Sequence, residues 1–168
     1  RVQPGQGFGV HGHRDMEIIS YIIDGALEHK DSIGNGSIMR RGDVQRMTAG
    51  SGVQHSEFNP SPDATVHFLQ MWILPQTLSL TPSYEQKAFM EEERSDHLHL
   101  IVSRDGREQS LTIHQDVDLY ASMLTADCTL SHSFRKNRKG WLQVVLGDVA
   151  INEVHLVSGD GLALQDCD

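Results

Sequence analysis

Cysteine is scarce in this chain of 168 residues, which contains only Cys128 and Cys167. Two cysteines without a C-x-x-C spacing do not make the disulfide framework of a small secreted domain. This usage fits a reducing compartment, and we expect a cytoplasmic protein. The chain begins at Arg1 instead of a methionine and shows no signal-like segment, so we expect it to be part of a longer protein.

Long apolar runs and an excess of positive charge are also lacking. No run approaches the roughly 18 apolar residues of a membrane span. Lysine and arginine total 14 against 23 aspartate and glutamate residues, which gives a formal net charge of −9. This charge argues against a nucleic-acid backbone as the main partner. We therefore expect a soluble protein that directly contacts neither a membrane nor nucleic acid.

A long helical period is absent as well, and short strands take its place. Turn signals such as Asp-Gly, Gly-Asn-Gly and Asn-Pro-Ser-Pro separate apolar or alternating runs, including "IISYIIDG" and "VHFLQMWIL". This spacing is typical of antiparallel strands in a sandwich or barrel. The charged residues 85–94 are predicted as a helical or irregular connector.

The two halves of the chain share an outline of strand, glycine turn, strand and Gly-Asp turn. The outline runs from Ile22 to Asp43 and again from Trp141 to Asp160. Such self-similarity indicates an internal duplication. We predict two domains, residues 1–92 and residues 93–168.

The segment "GQGFGVHGHRDMEI" permits two interpretations. Gly7, Gly9 and Gly12 spell the G-x-G-x-x-G of a dinucleotide-binding loop, which requires a strand before it and a helix directly after it. Here a β-branched, aromatic run follows, and no hydrophobic strand precedes. The dinucleotide interpretation is therefore disfavoured.

Histidine pairs in strands support a metal site instead. Side chains at i and i+2 point to the same face of a strand, so His11 and His13 converge, as do His55 and Glu57. Three imidazoles and one carboxylate suit a first-row divalent ion, and open coordination positions are typical of a catalytic site. Glu17 shares the parity of His11 and His13, so parity alone leaves either acid as the oxygen ligand.

Specific motifs along almost the whole chain resemble the pirin family of bicupins. They are "HGHRDMEIISYIIDGALEHKDSIGN", "GDVQRMTAGSGVQHSEFNPS", "MWILP", "TPSYEQKAF", "RDGREQSLTIHQDVDLY" and "WLQVVLGDVAIN". The resemblance implies an all-β cupin fold of two stacked, jelly-roll-like barrels. It also implies a chain shortened at both ends, with the metal in the N-terminal barrel and none in the incomplete C-terminal barrel.

The resemblance assigns the ligands to His11, His13, His55 and Glu57. It implies one divalent ion per chain, with iron(II) expected and nickel, copper, zinc, manganese or cobalt as alternatives. Glu17 would then support the site through a hydrogen bond or take part in a structural one. The chain departs from the family's usual H-P-H at Gly12, which we expect to loosen the ligand strand.

Other histidines receive structural interpretations. His97 and His99 alternate with apolar residues and are predicted on a solvated strand face. His132 has no histidine partner at the spacing of a cupin motif, and His29 is interpreted as structural. Core or pocket-wall positions are predicted for the methionines Met16, Met39, Met47 and Met71. Trp72 and Trp141 are predicted as core residues.

Two functions of different class follow from the family resemblance. Some bacterial pirins resemble quercetinases, so the first hypothesis is a metal-dependent dioxygenase that opens a flavonol-like aromatic with O₂, with Glu57 as ligand and proton acceptor. The second is a non-enzymatic metal or redox sensor that modulates a protein partner. A third, a cupin isomerase or small-ligand binder, is kept behind these two.

Overall fold

The computed structural model describes residues 1–165, and Cys167 lies outside them. Within that range the chain is almost entirely β. The strands are β1 (Gly7–His13), β2 (Glu17–Asp24), β3 (Ala26–Asp31), β4 (Gly36–Arg40), β5 (Asp43–Thr48), β6 (Val53–Phe58), β7 (His67–Ile73), β8 (Ser83–Ala88), β9 (His99–Ser103), β10 (Leu111–Thr112), β11 (Leu119–Ala121), β12 (Gly140–Gln143), β13 (Asp148–Ile151), β14 (Val154–Val157) and β15 (Gly161–Leu164). Two short 3₁₀ segments span Glu92–Arg94 and Arg107–Gln109.

Two four-stranded antiparallel sheets build the first barrel. One has the order β1-β6-β3-β4 and the other the order β7-β2-β5-β8. Their inner faces pack together, because Ile22 of β2 lies in one apolar cluster with Leu27 of β3 and Met39 of β4. The two sheets therefore enclose an interior, as expected for the sandwich or barrel that the turn spacing predicts.

Polar residues form a middle layer in that interior. The side chains of β2 that face inward are Ile18, Ser20 and Ile22, which alternate as a strand requires. Ile18 belongs to an apolar cluster at one end of the barrel and Ile22 to another at the opposite end. Ser20, fully buried between them, marks the level at which buried histidine and glutamate side chains collect.

The outer face of the second sheet is covered by the three-stranded sheet β10-β9-β11. Ile19 and Val44 pack there against Ile101 and Ile113 in one buried cluster. Residues 99–121 thus contribute to the packing of the N-terminal unit, and the compact units divide between Thr129 and Leu130. The boundary predicted near residue 92 rests on the sequence repeat and stays a prediction.

The second unit begins at Leu130, and its described part, up to residue 165, contains two antiparallel strand pairs. β12 pairs with β15, so that Gly140 lies opposite Leu164, and β13 pairs with β14. Trp141 on β12 is 68% exposed, so the prediction of a core tryptophan there is wrong.

The prediction for residues 85–94 needs correction. Ser83–Ala88 is a regular strand that pairs with β5, and Glu92–Arg94 forms the 3₁₀ segment. The charged side chains of this strand have partners that a sequence window does not reveal, since Glu85 forms an ion pair with the buried Arg46 at 2.7 Å. In residues 1–165, no helix is long and apolar enough to cross a bilayer.

Candidate metal centre

Three predicted ligands meet inside the first barrel. β1 and β6 pair antiparallel with His11 directly opposite His55, and His13 lies two residues along β1 on the same face. Their ring centroids are 4.5–4.9 Å apart. One ring nitrogen from each of the three lies within 4.8 Å of the others, a spacing suited to a shared metal ion.

The two nitrogens nearest each other belong to His11 and His55. Their Nε2 atoms are 3.1 Å apart. Two imidazole nitrogens bound at about 2.0–2.1 Å to one ion, at an angle of roughly 90–109°, lie about 2.8–3.4 Å apart. The observed separation therefore fits two neighbouring positions on a single ion.

The orientation of His11 is fixed from its other nitrogen. Nδ1 lies 2.8 Å from the carbonyl oxygen of Gly9. A carbonyl only accepts hydrogen bonds, so Nδ1 carries the proton and Nε2 presents its lone pair to the interior.

Burial lowers the pKa of two of these histidines. His55 is 2% exposed, and desolvation, together with the neighbouring imidazoles of His11, His29 and His13, lowers its pKa to about 3. Desolvation and then the charge of His11 also lower the pKa of His13. A neutral imidazole is the form that binds a metal ion, so His55 is ready to act as a ligand at neutral pH.

Glu57, the fourth predicted ligand, falls into a second group. Its carboxylate is close to nitrogens of His29 and His55, and all three residues are buried. Gln70 Nε2 donates to Oε2 of Glu57 at 2.8 Å, and Ser20 Oγ donates to Oε1 at 3.4 Å. The four predicted ligands thus form two overlapping groups that share His55.

His29 is a member of the site that the sequence interpretation missed. Its ring lies 5.3 Å from that of His55, and its Nε2 lies 3.1 Å from Oδ2 of Asp31. Burial opposes ionisation of Asp31, but hydrogen bonds from Asn35 and His29 hold the pKa of this carboxyl below its usual value. The signal was available, because His29-x-Asp31 has the same i, i+2 spacing as the two ligand pairs.

Glu17 points away from this centre. It is fully buried on the outer face of the second sheet, where its Oε2 accepts hydrogen bonds from Thr48 Oγ1 at 3.1 Å and from the backbone N–H of His114 at 3.2 Å. Of the two roles left open for this acid, the structural hydrogen bond is the one observed.

Trp72 does not occupy the predicted core position. It is 56% exposed, its ring stands edge-on to His13 with centroids 5.0 Å apart, and its Nε1 donates to Gln70 Oε1 at 3.2 Å. Gln70 in turn holds Glu57, so an aromatic surface beside His13 is linked to the carboxylate through one amide side chain.

The remaining histidines and methionines largely follow their predicted environments. His97 is exposed, whereas His99 is half-buried against Phe89. Met39 and Met47 are fully buried in the barrel, and Met16 and Met71 are partly buried against core clusters.

An open groove of about 510 Å³ reaches the site at His13. Polar and apolar surface contribute about equally to its walls, which are formed by Gly12, His13, Arg14, Ser32, Gly52, Val53 and Gln54. Gly12 has no steric need to be glycine, since an added Cβ would meet its nearest atom, the carbonyl oxygen of Val53, at 3.7 Å.

The architecture is that of a cupin whose interior holds a candidate metal site, and comparison with known proteins gives its family. The Pirin family model matches residues 1–73, and the model of the quercetinase C-terminal cupin domain matches residues 100–168. The chain belongs to the pirin family, and the predicted all-β cupin fold is confirmed.

Relatives of this chain are named quercetin 2,3-dioxygenase or pirin-like protein. It is 43% identical over 165 residues to quercetin 2,3-dioxygenase of Escherichia coli K12, covering 98% of this chain and 70% of the relative. A pirin-like protein of Caulobacter vibrioides is 37% identical over 166 residues, covering 98% and 71%.

Solved structures agree with this fold. The crystal structure of YhhW from Escherichia coli matches with a TM-score of 0.92 at 43% identity, over 98% of this chain and 69% of YhhW. The structure of the bacterial pirin YhhW in complex with nickel(II) matches with a TM-score of 0.91 over the same shares.

Proposed function

We propose that this protein is a metal-dependent oxidoreductase of the quercetin 2,3-dioxygenase type, which opens the ring of a flavonol-like substrate with O₂. The observation that carries the proposal is the convergence of His11, His13 and His55 on one point of the barrel interior. The relative named quercetin 2,3-dioxygenase and the nickel(II) complex of YhhW support it.

The residues assigned to the metal are His11, His13, His55 and Glu57. Three nitrogens and one carboxylate oxygen suit a divalent first-row ion and leave positions open in a six-coordinate site. Iron(II) is the first choice, and nickel is supported by the YhhW complex. When bound, the ion supplies Lewis acidity that lowers the pKa of a coordinated hydroxyl.

Glu57 is assigned a second role as proton acceptor. Its carboxylate is buried and its two oxygens accept hydrogen bonds from Gln70 and Ser20. These donors orient the carboxylate without consuming all of its acceptor capacity, since each oxygen has two lone pairs. A substrate hydroxyl placed beside Glu57 can transfer its proton to one of these oxygens.

Trp72 supplies a surface for an aromatic substrate. Half-exposed beside His13, it offers an edge and a face to a planar ring at the entrance to the histidine cluster. Its hydrogen bond to Gln70 couples its position to that of Glu57.

The direct test measures metal and turnover together. Freshly purified protein is analysed for metals, then loaded with iron(II) or nickel(II), and O₂ consumption is followed with a panel of flavonols. We expect one equivalent of metal per chain and flavonol-dependent O₂ uptake that a chelator abolishes. Metal-loaded protein that consumes no O₂ with any flavonol contradicts the enzymatic proposal.

A second candidate function, a metal or redox sensor acting on a protein partner, is favoured by one observation. Exposed apolar side chains, Trp72 at 56% and Phe8 at 47%, lie on the strands that carry or flank the histidines. Exposed apolar groups beside a site are typical of a protein interface. Loss of partner binding on chelation, with no flavonol turnover in the wild type, is the result this candidate predicts.

A further inference from the structure

Three side chains, those of Asp31, His29 and His55, form a hydrogen-bonded series in the barrel interior. Oδ2 of Asp31 lies 3.1 Å from Nε2 of His29, and both side chains are fully buried. On the other side of the His29 ring, Nδ1 lies 3.5 Å from Nδ1 of His55. The opposite nitrogen of His55 is the one that faces His11.

The proton positions in this hydrogen-bonded series follow from the carboxylate of Asp31. An ionised carboxylate only accepts hydrogen bonds, so Nε2 of His29 carries the proton. The Nδ1 atom of a neutral His29 then holds a lone pair, and it accepts the Nδ1–H of His55. A neutral His55 with its proton on Nδ1 presents a lone pair at Nε2.

We propose that Asp31 and His29 fix the tautomer of His55 and thereby turn its Nε2 lone pair toward the metal ion. This positioning role rests on the metal site proposed above. The carbonyl of Gly9 acts in the same way on His11, so the two lone pairs that face each other across 3.1 Å are set by hydrogen bonds at both ends. Asp31 and His29 act through His55 and are not ligands.

The competing arrangement places a second ion among His29, His55 and Glu57, whose ligand atoms also lie within 4.8 Å of one another. To hold ions at both nitrogens, His55 would have to lose both ring protons. With a single ion, Nδ1 of His55 keeps its proton and donates to His29, while Nε2 of His55 faces the ion.

Asp31→Asn is the sharpest variant, because it changes the acceptor and keeps the side-chain shape. Oδ1 of Asp31 accepts from the backbone N–H groups of Ile33 and Asn35, and an amide oxygen there preserves this turn. The amide nitrogen then faces His29, which must move its proton to Nδ1, opposite the Nδ1–H of His55. Asn35→Ala is the matched control, since it removes the Asn35 side-chain hydrogen bond to Asp31 and leaves the contact with His29.

The readout is the tautomer of each histidine in zinc-loaded, ¹⁵N-labelled protein, taken from long-range ¹H–¹⁵N correlation spectra of the rings. We expect the proton of His29 on Nε2 and that of His55 on Nδ1, with His11 as an internal reference also protonated on Nδ1. Zinc affinity, measured by competition with a chromophoric chelator, should fall by about 10–100-fold in Asp31→Asn and stay at the wild-type value in Asn35→Ala.

A second pair of variants tests the proposal even if Asp31→Asn fails to fold. His29→Gln retains an acceptor for the His55 proton, whereas His29→Leu does not, so His29→Gln should bind zinc more tightly than His29→Leu. A wild-type His55 protonated on Nε2, equal zinc affinities for Asp31→Asn and wild type, or two zinc ions per chain overturns the proposal. Flavonol turnover is scored separately, so a failure of the dioxygenase function leaves the tautomer result standing, and the reverse also holds.

Discussion

The Nε2 atoms of His11 and His55 lie 3.1 Å apart inside the barrel, on adjacent strands and in direct register. Without a cation, two neutral imidazoles that both carry their protons on Nδ1 would point lone pairs at each other. A divalent ion between them converts this repulsion into two metal–nitrogen bonds, so the register of β1 against β6 has chemical consequences.

Removing one of these imidazoles should abolish tight metal binding. In His55→Ala a ligand is lost, along with the ring that joins the two groups of donor atoms. We expect no tight binding of nickel(II) or iron(II) by titration calorimetry or by elemental analysis after gel filtration. His97→Ala is the control, because His97 is exposed and its Nδ1 contacts the carbonyl oxygen of Ser95. Wild-type metal affinity in His55→Ala would remove this residue from the site.

Acid should destabilise the metal-free protein through His55. Its pKa is about 3 in the folded state, against an ordinary value of 6.5, so below pH 6.5 the unfolded chain binds a proton that the folded protein does not. The contribution of His55 to the free energy of unfolding is therefore fully present above pH 6.5, and it declines as the pH falls from 6.5 toward 3.

The measurement is the urea midpoint of metal-free protein at pH 7.5, 6.0 and 5.0, for wild type and for His55→Gln. The wild type should lose more stability across this range than the variant, which lacks the titrating ring. Parallel pH dependences in the two proteins would show that His55 does not make this contribution.

Strand alternation predicted much of the site, because it depends only on local geometry. The spacing of His11 and His13, and of His55 and Glu57, placed each pair on one face, and the structure agrees for both strands. Alternation did not reveal which face of β2 looks inward. Glu17 therefore remained an alternative ligand until the sheet packing placed it beside Thr48 and His114.

Other errors arose where long-range pairing decides the outcome. Ser83–Ala88 is a strand because β5 offers it an edge, and the buried Arg46 on β5 pairs with its Glu85. Trp72 is exposed because β7 is an edge strand of its sheet. Neither an available sheet edge nor a solvent-facing strand edge is visible in a window of residues.

Gly7 should be essential to the ligand strand, whereas Gly9 should not. A Cβ built on Gly7 would lie 2.2 Å from the backbone oxygen of Glu57, and one on Gly9 would meet nothing within 4 Å. Gly7→Ala must push β1 away from β6, so we expect a loss of roughly 1–3 kcal/mol in unfolding free energy and weaker metal binding. Gly9→Ala should stay within about 1 kcal/mol of wild type.

Denaturant unfolding and nickel(II) titration of the two variants check this expectation. Close packing of β1 against β6 would then explain why one residue of the apparent dinucleotide motif, Gly7, is a glycine. Equal stability and equal nickel affinity in Gly7→Ala and wild type would contradict the close approach of β1 to β6.

Loss of charge at the two buried acids should affect different properties: metal binding and turnover at Glu57, and stability at Glu17. Glu57→Gln keeps the shape but replaces a carboxylate with a weak ligand and a very poor base. We expect weaker metal binding and a fall in flavonol turnover of about 10²–10⁴-fold, as is typical when a general base is lost.

Glu17→Gln should retain the metal, because Glu17 lies on the opposite face of the second sheet and holds Thr48 and the backbone of His114. Its cost should appear as a lower unfolding free energy, by about 1–3 kcal/mol for a buried hydrogen-bonded group. Both variants are loaded with the same metal, checked for folding by circular dichroism and compared for metal affinity and flavonol-dependent O₂ consumption. If Glu17→Gln loses the metal while Glu57→Gln keeps both metal and turnover, Glu17 is the oxygen ligand and the assignment of Glu57 is wrong.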